Sequence, residues 1–127
     1  MRGAKFQAVH ELLDLVVEHA RHDAHTVAER LVALGLPTEV RIKTVANKAT
    51  TSTMIAGFQQ THTVIVEVIS AIDAALVTVR TAVEELTELD PVSQNVAIEI
   101  ARGFQKDRWF LFADMSTKQR GGIAPPA

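Results

Sequence analysis

Cysteine is absent from this 127-residue chain, so disulfide bonds and thiolate metal sites are excluded. Any metal ion that the chain binds must therefore be held by nitrogen and oxygen ligands. A strong excess of one charge is also absent, because 13 basic and 15 acidic residues leave a net charge of −2 when histidine is neutral. That balance does not favour bulk electrostatic binding of nucleic acid through the body of the fold.

Long uninterrupted apolar runs are missing as well. No signal-peptide run opens the chain, and the longest apolar stretch, residues 64–76, is broken by Glu67, Ser70 and Asp73. We therefore expect a cytoplasmic protein without a membrane span. With 47% hydrophobic residues, the chain is long enough for one domain with its own core.

Apolar residues at three- and four-residue steps predict long helices. The first runs over about residues 6–34 and ends at Gly35-Leu36-Pro37, because glycine can take the left-handed terminal conformation and proline prevents continuation. The second runs over about residues 58–89. Its β-branched run 64–66 alone would suit a strand, but helical spacing continues for three turns beyond it.

Asp90 and Pro91 begin the third predicted helix, as N-cap and first helical residue. This helix ends near Met115, and residues 116–127 form a flexible tail. Residues 37–57 are predicted to be a long connection with one short helix near 52–56. A connection of that length fits a crossover between two parallel long helices.

Two histidine–carboxylate pairs lie on the first predicted helix, His10 with Asp14 and His25 with Glu29. Each pair has the spacing i, i+4, so its side chains share a helix face and could bind one metal ion together. The pairs are 15 residues apart in the sequence, roughly 22 Å along a helix, so one ion cannot bridge both within a single chain.

The pairs are mirror images in the sequence, because the numbers of His10 and Glu29, like those of Asp14 and His25, add up to 39. In an antiparallel contact between two copies of the helix, each pair would face the other pair of the second chain. Such a two-fold interface would form two identical sites, each from two chains. Solvated ion pairs, worth about 0.3–0.5 kcal/mol each, are the alternative explanation.

On a helical wheel, the four pair residues flank the apolar stripe, where a partner helix would lie. Glu18 and His22 occupy the same sector and Arg21 lies near its edge, so these side chains could pair across the interface. The single tryptophan, Trp109, is predicted to be a core aromatic with its N–H near the surface, and a direct functional role is the alternative. Lys118 and Arg120 in the tail could contact DNA phosphate but would supply little affinity.

Several motifs together resemble a known family. They are Arg2-Gly3…Phe6…Val9-His10…Asp14, Val27-Ala28-Glu29-Arg30-Leu31…Leu34-Gly35…Pro37, Asp90-Pro91-Val92-Ser93-Gln94 and Lys106…Arg108-Trp109-Phe110-Leu111. They resemble the Dps family, the ferritin-like DNA-binding proteins from starved cells. The resemblance implies an all-α, ferritin-like four-helix bundle over residues 1–115, here with three long helices and a crossover, that assembles into a hollow dodecamer.

The same resemblance implies a ferroxidase. Iron(II) would be oxidised by hydrogen peroxide or dioxygen at two-fold subunit interfaces and stored as a ferric mineral. By position, His10, Asp14 and Glu29 match iron ligands, and Glu29 would bridge two iron ions. His25 stands where most members have aspartate, and its neutral imidazole suits zinc as well as iron, so iron affinity would fall.

The family's first helix and one ligand histidine would precede this chain, the histidine two positions before Met1. We therefore expect a truncated form, a start at an internal methionine, or a partner chain that covers the gap, since each exposed Leu or Val costs about 1.5–3 kcal/mol. Ferroxidase activity would then be impaired. The alternative is a structural or nucleoid-associated, DNA-protecting protein without ferroxidase activity, whose DNA contacts the missing N-terminal lysines would weaken.

Overall fold

Three long helices make up the fold. The structure, a computed structural model, describes residues 3–36 and 61–120. The helices are α1, Gly3–Ala33; α2, Thr61–Leu89; and α3, Pro91–Arg120. No described residue is in a strand, and the run 64–66 lies inside α2, as its longer spacing predicted. The predicted short helix near 52–56 and the predicted start of the second helix lie outside the described residues.

Gly35 ends α1 with a φ of 80°. The N–H of Leu36 donates to the carbonyl of Leu31 at 2.9 Å, and the N–H of Gly35 donates to the carbonyl of Val32 at 2.9 Å. These two hydrogen bonds are the Schellman arrangement, which satisfies carbonyls that the helix end would leave without partners. The predicted stop is confirmed, one residue earlier than expected.

Asp90 separates α2 from α3 and caps α3. Its carboxylate accepts hydrogen bonds from the backbone N–H of Ser93 at 3.3 Å and from the Ser93 hydroxyl at 2.5 Å. These hydrogen bonds lower the pKa of Asp90, and the guanidinium of Arg30 lowers it further. The predicted N-cap is therefore confirmed, with Pro91 as the first helical residue.

The end of α3 differs from the prediction. The helix continues to Arg120, five residues beyond Met115, so residues 116–120, which were predicted to belong to the tail, are helical. The apolar pattern stops near Met115, but residues 116–120 contain neither glycine nor proline, and the backbone has no local reason to leave the helix there. The rest of the predicted tail, residues 121–127, lies outside the described residues.

The helices α2 and α3 are antiparallel neighbours. Near their junction, the Gln94 amide donates to the Val83 carbonyl at 2.9 Å and to the Thr87 hydroxyl at 2.8 Å. Several turns further along, Arg108 of α3 meets Asp73 of α2, with 2.6 Å between Nε and Oδ1. Buried apolar side chains from all three helices form one core: Val9, Val16, Ile65, Ile69, Ile72, Leu76 and Leu111.

The helix α1 runs antiparallel to α3 and therefore parallel to α2. Near the end of α1, Nε of Arg30 donates to the Ser93 hydroxyl at the start of α3, at 2.9 Å. Near the middle of α1, His19 contacts Asp107 near the middle of α3. The end of α1 and the start of α2 thus lie at opposite ends of the bundle, as a crossover requires. The all-α fold predicted from the sequence is confirmed.

Apolar surface stays open along one side of this bundle. A mostly apolar cleft of about 410 Å³ runs between the end of α1, the second half of α2 and the first half of α3. Val27 and Leu34 line it and are exposed by 39% and 47%.

By length and apolar composition alone, α2 could cross a membrane. A core helix passes the same two criteria, and the apolar side chains Ile65, Ile69 and Leu76 are buried within the bundle. Its Asp73 also forms an ion pair with Arg108. We therefore assign α2 to the core of the bundle.

Candidate metal centre

The first predicted ligand pair, His10 and Asp14, lies on α1. Nε2 of His10 is 3.4 Å from Oδ2 of Asp14, and the two side chains are exposed by 51% and 71%. Helical geometry explains the contact, because residues four apart lie above one another on the same face. The pair presents one nitrogen and one carboxylate at the surface.

The second predicted pair, His25 and Glu29, is arranged similarly two turns before the end of α1. Nε2 of His25 is 2.5 Å from Oε1 of Glu29, and the side chains are exposed by 73% and 67%. Neither pair is covered by α2 or α3. Both are therefore accessible to water, to a metal ion or to a second protein chain.

Within one chain the two pairs do not come together. The unbroken helix keeps them roughly 22 Å apart. Across residues 3–36 and 61–120, no group of three or more histidine and carboxylate side chains is placed to hold one metal ion. One chain thus offers two half-sites with two ligands each, and their role as metal ligands stays a prediction.

A third histidine–carboxylate contact was not predicted from the sequence. Nδ1 of His19 on α1 donates to both oxygens of Asp107 on α3, at 2.9 and 3.1 Å. Asp107 is only 3% exposed and is the one buried charged residue in the described part of the chain. Its position between Phe104 and Leu111, in the apolar stripe of α3, was the available signal, because a carboxylate there needs a partner.

The surroundings of this contact form a small polar cavity of about 190 Å³. His22 and Asp23 on the next turn of α1 line it, together with Lys106. Burial raises the pKa of Asp23. The nearby His22 and His19 side chains lower this pKa in part, and the charge of Asp107 raises it further. The contact between His19 and Asp107 joins α1 to α3 through a buried carboxylate, whereas both exposed pairs lie within α1.

Trp109 is not the core aromatic that the sequence predicted. Its side chain is 43% exposed and meets the ring of Phe110 edge-on, with 5.0 Å between the centroids. The core position on that turn is taken by Leu111, which is fully buried. Periodicity alone did not separate these neighbouring apolar residues.

Comparison with known proteins gives a consistent result. The chain matches no family profile. It is 26% identical over 119 residues to a DNA protection during starvation protein of Agrobacterium fabrum, covering 93% of this chain and 74% of that protein. It is 28% identical over 117 residues to the protein of the same name from Mycolicibacterium smegmatis, covering 91% of this chain and 63% of that protein.

A solved structure is more similar. Dps from Microbacterium arborescens, in its high-iron form, shares 53% sequence identity with this chain and superimposes with a TM-score of 0.85. The match covers 91% of this chain and 75% of that one. Sequence identity at this level over most of both chains shows a common family as well as a common fold. The chain therefore belongs to the Dps family of ferritin-like proteins.

Proposed function

We propose that this protein oxidises iron(II) and stores the ferric product, at sites that two copies of the chain build together. The observation that carries the proposal is the pair of half-sites on α1, His10 with Asp14 and His25 with Glu29, exposed and mirrored about the middle of one helix. The high-iron form of the similar Microbacterium arborescens protein supports iron as the metal.

An antiparallel contact between two α1 helices would join one half-site from each chain. Its midpoint lies between His19 and Ala20, where Glu18 of one chain would face Arg21 of the other. Opposite charges at such a position favour the pairing. Leu15 and Val17 near the same midpoint are 44% and 47% exposed, so the contact would also bury apolar surface.

The joined site would have two imidazoles and two carboxylates. Carboxylate oxygens are hard ligands that stabilise iron(III), and imidazole nitrogen suits iron(II) and zinc(II). Glu29 has two oxygens and could bridge two iron ions. Each iron(II) would lose one electron, and hydrogen peroxide would take both electrons and two protons to give two water molecules; dioxygen is the alternative oxidant.

Substitution of Glu29 tests the ligand assignment. We expect Glu29→Ala to slow peroxide-driven iron(II) oxidation by about tenfold or more, as losses at metal ligands and their supporting groups do. Glu84→Ala, at an exposed carboxylate of α2, is the matched control and should oxidise iron at the original rate. Equal rates for the two variants would refute the site. Metal analysis of the purified protein would show whether zinc occupies it instead.

A mixing experiment tests whether two chains share the site. One variant lacks the first half-site (His10→Ala with Asp14→Ala) and the other lacks the second (His25→Ala with Glu29→Ala). Each alone should be inactive. Refolded together in equal amounts, half of the dimers would be mixed, each with one intact site, so about a quarter of the original activity should return. No recovery in verified mixed dimers would contradict sharing.

Protection of DNA without iron oxidation is the second candidate function. The names of the two curated relatives, DNA protection during starvation protein, favour it. The net charge of −2 argues against binding through the body of the fold. A gel-shift assay with plasmid DNA decides: phosphate-driven binding should appear at about 0.05 M salt and weaken steeply by about 0.2 M. No shift at either salt would remove DNA as a partner.

A cage is the assembly that iron storage needs. A dodecamer of this 13.9 kDa chain would have a mass of about 167 kDa. The native mass in solution tests this directly, and a mass of two chains would leave the shared site but no storage cavity. We place the assembly in the cytoplasm, with association with the nucleoid only if DNA is bound.

A further inference from the structure

A cavity of about 760 Å³ between α2 and α3 takes no part in the proposed iron chemistry. All four proposed ligands lie on α1, whereas no residue of α1 lines this cavity. Its walls come from two helices: Asp73, Leu76 and Arg80 of α2, and Gln105, Lys106, Arg108, Trp109 and Phe112 of α3. It combines cationic and aromatic side chains on a chain that has only one tryptophan.

The cavity carries excess positive charge. Asp73 is the single carboxylate among the described residues that line it, and Arg108 engages this group, with Nε 2.6 Å from Oδ1 and a second guanidinium nitrogen 3.3 Å from Oδ2. With those two charges paired, Arg80 and Lys106 remain as cations. Arg80 has no ion-pair partner among the described residues. A local excess of two positive charges on a chain of net charge −2 favours an anion at this place.

The aromatic part of the cavity offers a flat apolar surface. Trp109 is 43% exposed, although large apolar side chains favour burial. Leu76, only 2% exposed, and the half-buried Phe112 extend the same wall. A planar ring is the ligand group that gains most from such a wall, since stacking of a base on an aromatic side chain contributes about 1–3 kcal/mol.

The arrangement of the two parts sets the length of the ligand. Because Arg108 contacts Asp73, these two residues lie at the same height along the bundle, and Trp109 directly follows Arg108 in the sequence. Arg80 lies seven residues further along α2, about 10 Å along the helix axis. The Cα–Cβ bond of a helical residue tilts towards the N-terminus of its helix, which directs the start of the Arg80 side chain back towards the level of Asp73. The span suits a molecule with an anionic head and a ring a few bonds away.

We propose that this cavity binds a phosphate monoester carried on a planar ring, such as a mononucleotide. The ring lies against Trp109, and the phosphate meets Arg80, whose guanidinium matches phosphate geometry better than an ammonium does. Lys106 adds a second positive charge. The neutral ring and the free phosphate each use only half of the cavity, so both bind more weakly than the whole molecule.

Fluorescence of Trp109 measures this binding directly, because the chain has no other tryptophan and no tyrosine. We expect AMP to quench the emission in a saturable way. Adenosine should quench it, and inorganic phosphate should displace bound AMP, only at concentrations at least about tenfold higher. Arg80→Gln should weaken AMP binding about tenfold. Arg102→Gln, at an exposed arginine of α3 outside the cavity, is the matched control and should bind AMP normally.

Asp73→Asn separates binding from a merely structural role. The variant removes the carboxylate of Asp73 and so raises the net positive charge around the bound phosphate, so AMP affinity should rise about three- to tenfold. Damage to the fold would lower it. Absence of saturable quenching up to about 10 mM AMP, or equal affinities for the Arg80 and Arg102 variants, would overturn the proposal.

Discussion

The two faces of α1 carry the same residue types in opposite surroundings. On the inner face, His19 meets the buried Asp107 of α3 at 2.9 Å. On the outer face, His10 and His25 each meet a carboxylate four residues on, and all four of those side chains are more than half exposed. The comparison shows that burial decides whether such a pair joins two helices or stays accessible to a metal ion and a second chain.

The energetic consequences of the two surroundings differ. Removal of one partner of a buried carboxylate leaves an acceptor without its hydrogen bond, and this costs more than the bond itself contributes. Exposed pairs on a helix contribute little, because water solvates each charge when its partner is lost. Stability and metal chemistry should therefore respond to substitutions on different faces of the same helix.

The largest expected effect comes from the inner face. His19→Ala should lower the free energy of unfolding by about 2 kcal/mol, because Asp107 is left buried without its partner while the half-exposed site lets some water in. His25→Ala should change it by less than about 0.5 kcal/mol. Urea denaturation at neutral pH, followed by circular dichroism, measures both.

Iron oxidation should show the reverse order for the same two variants. His25→Ala should slow it, and His19→Ala should not while the protein is folded. Equal loss of stability in both variants would break the distinction between the faces.

A charge reversal sharpens the role of the outer face. Glu18→Arg would place two arginine side chains opposite each other at the middle of the proposed two-fold contact and weaken association about tenfold, or about 1.4 kcal/mol. The double variant Glu18→Arg with Arg21→Glu restores opposite charges and should restore association. Sedimentation velocity over a dilution series measures this, with Glu84→Arg as control. A double variant as weak as the single one would contradict the pairing.

The smallest expected effect concerns a second inner contact, where Arg30 of α1 meets Asp90 and Ser93. The pKa of Asp90 lies below its usual 3.8, so its charge stabilises the fold above that value and the contribution is lost as pH falls through the folded pKa. Asp90→Asn keeps a capping side chain but removes the charge. Its stability deficit should shrink between about pH 5 and pH 2. A deficit that does not vary with pH would mean that the charge contributes nothing.

Local features of the structure could be predicted because they depend on neighbours in sequence. Gly35 and Asp90 end and begin helices through hydrogen bonds within five residues. The contact between His25 and Glu29 follows from helical spacing alone. The end of α3 was placed too early because an apolar pattern reports packing, whereas backbone hydrogen bonds carry the helix on to Arg120.

Features that need two helices could not be predicted. The partner of Asp107 lies 88 residues away, and the partner of Arg108 lies 35 residues away. Helical spacing within one element relates residues three or four apart and therefore cannot predict either contact. It also cannot predict that Trp109 is exposed, because this depends on which helix packs against it. Such contacts depend on the register between packed helices, which many side chains set together.

By itself, the sequence determined that there are three long helices, where α1 ends and α3 begins, and the two mirrored pairs on α1, since helix geometry acts over four or five residues. Its motifs also indicated the family before any fold was known. Only the tertiary structure decided which face of α1 is covered by α3. That choice leaves His10, Asp14, His25 and Glu29 in water and takes Asp107 out of it, because burial depends on what packs against a face.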